Sequence, residues 1–422
     1  MRDSVSGTCC GPAQRRHRWL ALAAALTLLG SAAAPALARG YVPQGRCGPH
    51  ERVQIDTVPA GHCVALIADE AQGLEAPRRI LEVTPGRFWV IDMGANWVPR
   101  RGRLLELTLP PGAARANVRT LAEGLDRPLG LAKGPDGQIW VGEVHQVWRT
   151  PLPPPGQAIR REVMLPNLPT SGAHPLKEIA FGPGDALYVN MGSVTDSCRN
   201  DAQQQPVPCP ELGGAQPRAA VYRAQLDPAQ GWKVTRFEPF ATGLRNSVAL
   251  TVLPGGAVMQ GENSIDYPDA AQPPEELNRL QAGRHYGWPY CVGKGVAARG
   301  YEKRYDCAQS TGAAQIWPAH AAPLHLLQGT AGSPFAGQLL VAWHGQRAGG
   351  QRIVGFARDS KGMPSGKPIQ WLSGWEGKTE QRPSGRPTGM SIDHAGRLLV
   401  VEDFNRSVLM LMSTEGSAPK PR

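Results

Sequence analysis

Residues 240–290 bring a guanidinium, several side-chain oxygens and aromatic rings together in one short stretch. It begins near Gly-Leu-Arg-Asn (GLRN, 243–246) and closes on HYGWPY (285–290). Between them lies a loop rich in oxygen donors: Glu262, Asn263, Ser264, Asp266, Asp269, Glu275, Glu276 and Asn278. An arginine suits an anionic ligand, and carboxylate and amide oxygens suit a hard cation such as calcium. On residue types alone, a solvated acidic surface loop explains the stretch equally well.

A second candidate is His174, in the segment SGAHPLKEIAFGPGDALYV. A neutral imidazole can accept a hydroxyl proton near neutral pH, as oxidation of an alcohol by hydride transfer requires. Arg245, His320–Ala322 and Arg386 hold the matching place in later repeats of the chain. If these repeats converge on one axis, their arginines would form a carboxylate-binding site. Taken one at a time, each arginine is equally well explained by a structural ion pair.

The elements that must position these side chains recur along the chain. Each is a short apolar strand, a Pro-Gly or Asp-Gly type of turn, and an aromatic-aliphatic strand, which predicts a β-hairpin. The six hairpins span 76–93, 127–144, 174–192, 244–262, 322–345 and 386–404. Further strands follow at 103–109, 220–226 and 352–358. Roughly four strands per repeat is the size of a propeller blade.

We therefore predict an all-β chain in which residues 39–422 form a single six-bladed β-propeller of four-stranded antiparallel blades. An array of β-sandwiches is the alternative, but it does not require six similar hairpins. The ring should close by pairing the strand at 64–70 with the strand at 407–412. The sequence shows no long amphipathic helix, although Glu275–Gln281 is expected to form a single helical turn.

Residues 1–38 have the pattern of a cleaved signal peptide. A basic RRHRW segment precedes an apolar stretch and an Ala36-Leu37-Ala38 cleavage site. The alternative is that this segment is not cleaved and anchors the protein in the membrane. The sequence does not distinguish export by the Sec pathway from export by the twin-arginine pathway. No later segment is apolar enough to span a bilayer. The mature protein is thus expected to be periplasmic or secreted, without stable membrane insertion.

Six cysteines remain after residue 38, and they fall into three sequence-local pairs. We predict the disulfides Cys47–Cys63, Cys198–Cys209 and Cys291–Cys307, in keeping with an oxidising compartment. A zinc site is the competing reading, but the sequence has no CxxC motif. The formal net charge of +10 comes from scattered basic residues rather than a stripe. That distribution argues against nucleic-acid binding.

Three motifs, GLRN, GEN…PPEELN and HYGWPYC, resemble the soluble quinoprotein sugar dehydrogenases, namely the glucose/L-sorbosone dehydrogenase family that uses pyrroloquinoline quinone (PQQ). The resemblance implies that His174 is the general base and that Arg245 and Asn246 contact the quinone. It further implies a calcium ion held by the backbone carbonyls of Ser264 and Ile265. Glu262 would lie near that ion.

The resemblance also assigns His344, in VAWHG, and Arg386, in GRP, to cofactor binding. WPAHAAPL (317–324) is closer to the L-sorbosone branch than to the glucose branch. Two positions depart from the pattern. Ser193 stands where the glucose branch has an aspartate that orients the base, and Thr388 replaces a second arginine of the last blade.

Asp196 is the residue that could take the place of that aspartate. The resemblance implies an exported enzyme that oxidises a sugar, or a sugar-derived alcohol or aldehyde such as sorbosone, by hydride transfer to PQQ. Calcium and Arg245 would polarise the quinone, and the sequence does not identify the electron acceptor. Two alternatives stay open. One is a calcium-dependent lactonase or esterase, with Glu82, Asn190, Asn246 and Glu262 as ligands, and the other is a non-catalytic binding propeller that has lost the cofactor.

Overall fold

The computed structural model describes residues 40–347, 349–375 and 385–414. The predicted signal peptide, residues 1–38, lies outside the described residues. The strands of the N-terminal segment and of blades one to three are, in chain order, β1 Arg46–Cys47, β2 His50–Val53, β3 His62–Ala68, β4 Pro77–Thr84, β5 Arg87–Asp92, β6 Gly102–Thr108, β7 Asn117–Leu125, β8 Leu131–Lys133, β9 Ile139–Glu143, β10 Gln146–Thr150, β11 Glu162–Leu165, β12 Ile179–Gly182, β13 Ala186–Met191, β14 Ala220–Asp227 and β15 Lys233–Thr242.

Blades four to six follow in the same order. Their strands are β16 Ala249–Val252, β17 Val258–Glu262, β18 Glu275–Leu280, β19 Arg284–His285, β20 Cys291–Val292, β21 Val296–Ala297, β22 Gln315–Trp317, β23 Pro323–Gln328, β24 Gln338–Trp343, β25 Arg352–Ala357, β26 Ile369–Leu372, β27 Pro387–Ile392, β28 Leu398–Glu402 and β29 Ser407–Ser413. Within the described residues these strands form a six-bladed propeller, as predicted, and each predicted hairpin supplies the first two strands of one blade.

Blades one, two, three and five contain β4–β7, β8–β11, β12–β15 and β23–β26. Blade four contains β16, β17, β18 and β22, while β20 and β21 form a separate hairpin and β19 pairs in parallel with β15. Blade six combines β27, β28 and β29 with β3 from the other end of the chain, and Leu409 lies opposite Leu66. The predicted ring closure is therefore confirmed. Strands from the two ends of the chain thus share one sheet.

All three predicted disulfides are present, with Cα–Cα distances of 5.8, 6.1 and 5.9 Å. Cys47–Cys63 links β1 to β3. The other two pairs lie in one buried cluster with Trp288, Tyr290 and Tyr301, and Ile265 packs against the same cluster. The cluster thereby holds the loop that follows β17 against the insertion between β18 and β22.

The described residues contain no α-helix. Five short 3-10 turns occur at Glu70–Gln72, Ala95–Trp97, Pro210–Leu212, Pro228–Gln230 and Cys307–Gln309. The helical turn expected at Glu275–Gln281 is wrong, because Glu275–Leu280 is β18. This strand pairs with β17 on one side and β22 on the other, so its backbone groups are satisfied by two neighbours.

The guanidinium of Arg79, on β4, closes the axis of the propeller. Its five N–H groups all donate: Nε to Glu178 (2.6 Å), Nη1 to the carbonyls of Arg78 and Thr388 (2.8 and 2.5 Å), and Nη2 to those of Val248 and Leu324 (3.0 and 2.7 Å). These partners belong to blades one, three, four, five and six. Arg79 also lines two cavities, of about 280 and 310 Å³. It therefore separates the two ends of the axis.

Candidate functional site

The cavity of about 280 Å³ lies at the end of the axis where the loops enter the inner strands, and all six blades contribute to it. Its lining comprises Arg78, Arg79, Trp97, Leu129, Leu176, Asn246, Val248, Asn263, Ala322, Leu324, His344, Arg386 and Asp403. Three of the residues predicted to bind the cofactor, Asn246, His344 and Arg386, are thus brought together.

A repeated carboxylate contact positions the loops around this cavity. In four blades, the acid that ends the second strand accepts a hydrogen bond from backbone N–H groups just before the inner strand. The pairs are Asp92 with Glu75 and Ala76, Glu143 with Asp126, Glu262 with Asn246, and Glu402 with Arg386, at 2.6–3.3 Å. The predicted positions Asn246 and Arg386 are therefore fixed through their own backbones, which leaves their side chains to face the cavity.

A basic cluster forms the side of the cavity built by blades one, five and six. Asp403 accepts from Arg78 Nη1 (3.0 Å) and His344 Nε2 (3.2 Å), and Arg386 Nε lies 3.8 Å from it. Burial alone would raise the pKa of Asp403. The nearby His344, Arg78 and Arg386 together outweigh burial and bring this pKa below its usual range. Burial lowers the pKa of His344. With a neutral imidazole, two guanidinium groups face one carboxylate, so the cluster carries excess positive charge.

Two donors of this cluster are open. The Nε atoms of Arg78 and Arg386 are buried and have no hydrogen-bond partner within the described part of the chain. Buried N–H groups are normally paired, and those of guanidinium groups form their strongest bonds with carboxylates. This side of the cavity therefore fits an acidic ligand of small-molecule size.

Exposed aromatic rings flank the two guanidinium groups. Arg78 lies 5.4 Å from the centre of the Trp97 ring, and Arg386 lies 5.3 Å from that of Phe404. Trp97 is 48% exposed and Phe404 41% exposed. Trp97 adopts φ of +58°, a region that large side chains rarely occupy. The rings restrict where each guanidinium can point.

His174 lies in the loop before β12. Leu176, two residues further along this loop, lines the axial cavity, but His174 itself is not among the lining residues. His174 Nδ1 is 2.8 Å from Ser193 Oγ, and that hydroxyl donates its one proton to the carbonyl of Thr195 (2.6 Å). Ser193 Oγ must then accept from His174, so Nδ1 carries the ring proton and Nε2 keeps a lone pair. Burial, and then the charge of Arg245, lower the pKa of His174 to about 3. The imidazole is therefore neutral at physiological pH.

Arg245 stands beside His174, since its carbonyl accepts from the backbone N–H of Ser193 (2.8 Å). Its guanidinium is committed elsewhere, with Nη2 at 2.7 Å from Asp196 and 2.8 Å from Asp266. Nη1 donates to the carbonyl of Asn263 (2.9 Å). Asp196 thus pairs with Arg245 and not with the histidine, and Ser193 is the residue that orients the imidazole. Contact between Arg245 and a quinone stays a prediction.

The predicted calcium residues Glu262, Ser264 and Ile265 line a separate void of about 10 Å³, together with Glu276. Both oxygens of Glu262 already accept hydrogen bonds, from Asn246 N (3.0 Å) and Gln260 Nε2 (2.7 Å). Burial, and then Glu276, raise the pKa of Glu262 to about 8. Oxygen donors suit a hard cation, and the void is the size of one water molecule. Its separation from the larger cavity does not match an ion that bridges to a bound quinone.

The four ligands proposed for a lactonase do not converge. Asn246 lines the axial cavity, but Glu82 pairs with His394 (2.8 Å) towards the β4–β5 turn. The amide of Asn190 is occupied, since it accepts from Glu178 N (2.5 Å) and donates to Leu176 O (3.1 Å). This structure therefore gives the lactonase alternative no assembled metal site.

Sequence reasoning missed Arg78, Trp97 and Asp403, whereas Asn263 was among the oxygen donors named in the loop after GLRN. Two signals were visible: Arg78-Arg79 interrupts an otherwise apolar strand, and Asp403 directly follows the apolar strand 398–402. Neither signal shows that the two side chains meet, because they lie on different blades at opposite ends of the chain. In the described residues, no helix has the length and apolarity needed to cross a bilayer.

Comparison with known proteins finds no matching family model and no matching curated protein. Solved structures do match. The Trichoderma reesei enzyme of carbohydrate-active family AA12, solved with iodide and with calcium, is 20 and 21% identical, with TM-scores of 0.67 and 0.66. The match covers 86% of this chain and 99% of that enzyme.

Two further structures were solved with PQQ. The holo PQQ domain of Coprinopsis cinerea pyranose dehydrogenase is 18% identical, with a TM-score of 0.65 over 86% of this chain and 99% of that one. The PQQ-bound aldose sugar dehydrogenase of Streptomyces coelicolor is 17% identical, with a TM-score of 0.56 over 84% and 99%. At these identities the similarity shows the fold: this chain has the propeller of the solved PQQ-dependent sugar dehydrogenases.

Proposed function

We propose that the protein is an exported PQQ-dependent dehydrogenase that oxidises a sugar, or a sugar-derived alcohol or aldehyde of the sorbosone type. The observation that carries the proposal is a neutral, oriented imidazole, His174, in a loop whose Leu176 lines a cavity with more cations than carboxylates. The fold shared with the PQQ-containing structures supports the same conclusion. Export is supported by the three disulfides.

The residues of the cavity fit the acidic, planar cofactor. Arg78 and Arg386 offer unpaired buried N–H groups, His344 and Asp403 keep them in place, and Asn246 supplies an amide on the opposite wall. When bound, PQQ would supply a quinone that accepts one hydride, that is, two electrons and one proton. Calcium is proposed only as an ion of the separate void lined by Ser264, Ile265 and Glu262, and no step of the mechanism depends on it.

His174 performs the proton transfer. Its Nε2 lone pair accepts the proton of the substrate hydroxyl, while the carbon-bound hydrogen leaves with its electron pair. Ser193 holds the ring by accepting from Nδ1–H, and Thr195 fixes the hydroxyl of Ser193. Burial, and then the nearby charge of Arg245, keep the imidazole of His174 deprotonated before substrate arrives. We expect such general-base action to contribute about 10²–10⁴-fold to turnover.

The test is reconstitution of the purified protein with PQQ and calcium. The absorbance of the quinone is recorded before and after addition of aldoses, sorbosone and simple polyols. Binding followed by bleaching with one class of substrate is the expected result and identifies that class. Absence of binding at micromolar PQQ would contradict the proposal and favour the non-catalytic propeller. Turnover of lactones with calcium alone would favour the hydrolase.

A further inference from the structure

Thr388 occupies the place where the resemblance expects a second cofactor-binding arginine in the last blade. It is fully buried, and the single proton of its hydroxyl lies between two acceptors, the carbonyls of Pro77 (2.8 Å) and Val401 (3.1 Å). Its side chain does not belong to the lining of the axial cavity. Thr388 therefore joins blade six to blade one and has no donor left for a ligand.

The residue after Pro77 is Arg78, which does line the cavity. Arg78 Nη1 lies 3.0 Å from Asp403, the same carboxylate that Arg386 Nε approaches to 3.8 Å. The cavity thus has two guanidinium groups around one acid, but the second comes from the neighbouring blade. Its position follows from the contact between β4 and β27 that Thr388 makes.

We infer that Arg78 binds a carboxylate of the acidic cofactor and thereby replaces the missing arginine of the last blade. The inference rests on the proposed function and assigns a new residue to it. Three observations support a ligand-binding role over a purely structural one. Arg78 faces the cavity, its buried Nε–H has no partner among the described residues, and the Trp97 ring, 5.4 Å away, limits its orientation.

A purely structural role would be complete with the Asp403 contact alone. It would leave the Nε donor without the hydrogen-bond partner that most buried N–H groups have, and it would give no reason for Arg78 to line the cavity. A carboxylate can accept from two N–H groups of one guanidinium at once. A ligand carboxylate would therefore satisfy Nε while Asp403 retains Nη1. Arg386 Nε, which lies 3.8 Å from Asp403 and makes no hydrogen bond to the described residues, provides a second point of attachment for a ligand with more than one carboxylate.

The experiment measures PQQ affinity directly, by quenching of intrinsic tryptophan fluorescence in the presence of calcium. Arg78→Met keeps most of the side-chain length and removes the charge and the donors. The dissociation constant for PQQ should rise by about 10- to 100-fold, as expected for loss of a charge-assisted hydrogen bond. The matched control is Arg115→Met, because Arg115 pairs with Glu51 and Asp69 away from the cavity. Its affinity should stay within about twofold of wild type.

Arg78→Lys keeps the test usable if Arg78→Met does not fold, because lysine retains the charge beside Asp403 but lacks the forked donors. It should also weaken PQQ binding, by less than the methionine variant. Wild-type affinity in a folded variant would overturn the role of Arg78 while leaving the proposed function intact. Failure of the wild type itself to bind PQQ would overturn the proposed function, and the role of Arg78 with it.

Discussion

The two sides of the axial cavity use arginine in opposite ways. On the side of blades three and four, Arg245 is enclosed by two carboxylates, Asp196 and Asp266, and is 4% exposed. On the side of blades one, five and six, Arg78 and Arg386 share the single carboxylate of Asp403 and each keeps an unpaired buried donor. The same residue type is paired with two protein carboxylates in one place and retains a guanidinium Nε without a hydrogen bond to any described residue in the other.

This difference separates two chemical tasks. The side of Arg78 and Arg386 attracts acidic groups, so it is suited to hold the cofactor. On the other side Arg245 is paired with Asp196 and Asp266, and burial, followed by the charge of Arg245, keeps the pKa of His174 low. A proton acceptor can therefore stand beside the cavity without becoming an anion-binding site itself. Three predictions test whether cofactor binding and proton transfer are separated in this way.

The largest effect is expected from His174→Asn. The variant keeps a polar side chain but loses the Nε2 base, so turnover in the PQQ-loaded protein should fall by about 10²–10⁴-fold. PQQ affinity should change little, because the cofactor is assigned to the opposite side. Stopped-flow bleaching and fluorescence titration measure the two quantities separately. His62→Asn, in β3 and away from the cavity, is the control, and full turnover by His174→Asn would contradict the assignment of the base.

A smaller loss is expected from Ser193→Ala, which removes the acceptor that fixes the His174 tautomer. Loss of one neutral hydrogen bond should lower kcat by about 3- to 10-fold, and the affinity for PQQ should not change. Ser193→Asp supplies the carboxylate of the glucose branch and should raise the pKa of His174, so that an acid limb appears in the pH profile. If neither variant moves kcat or the profile, Ser193 does not position the base.

The smallest expected effect is the change of activity with pH. The folded pKa of His174 is lowered to about 3 from its ordinary 6.5, so the base is protonated only as pH falls towards 3. Its protonation should change kcat/KM by less than about twofold between pH 5 and 8. In the unfolded chain the same group takes up a proton near pH 6.5, so its contribution to stability falls as pH decreases from 6.5 towards 3. An activity limb near pH 6.5 in the wild type would contradict the lowered pKa.

The features that could be predicted from sequence were local. Hairpins are encoded by alternating apolar residues around a turn, and each disulfide joins cysteines only 11 or 16 residues apart. Ring closure followed because two apolar strands remained at the chain ends. The error at Glu275–Leu280 has the same origin. Its residues alternate weakly, and pairing on both sides, which the local pattern does not show, decided the outcome.

The features that could not be predicted depend on contacts between blades. Arg79 donates to the carbonyl of Thr388 across 309 positions of sequence, and Arg78 reaches Asp403 over a similar separation. The partners of Arg245 could not be predicted either, because family motifs identify the arginine but not the carboxylates that surround it. The role of Ser193 depends on the direction of one hydroxyl proton, which Thr195 determines.

Because all the N–H groups of Arg79 are hydrogen-bonded, this residue determines how substrate and product reach and leave the axial cavity. The axis is a blind passage, because every N–H group at its centre is already bonded to the surrounding blades. Whatever enters the cavity beside His174 must leave through the opening by which it came. Substrate and product therefore use the same opening, and one cannot pass while the other occupies it.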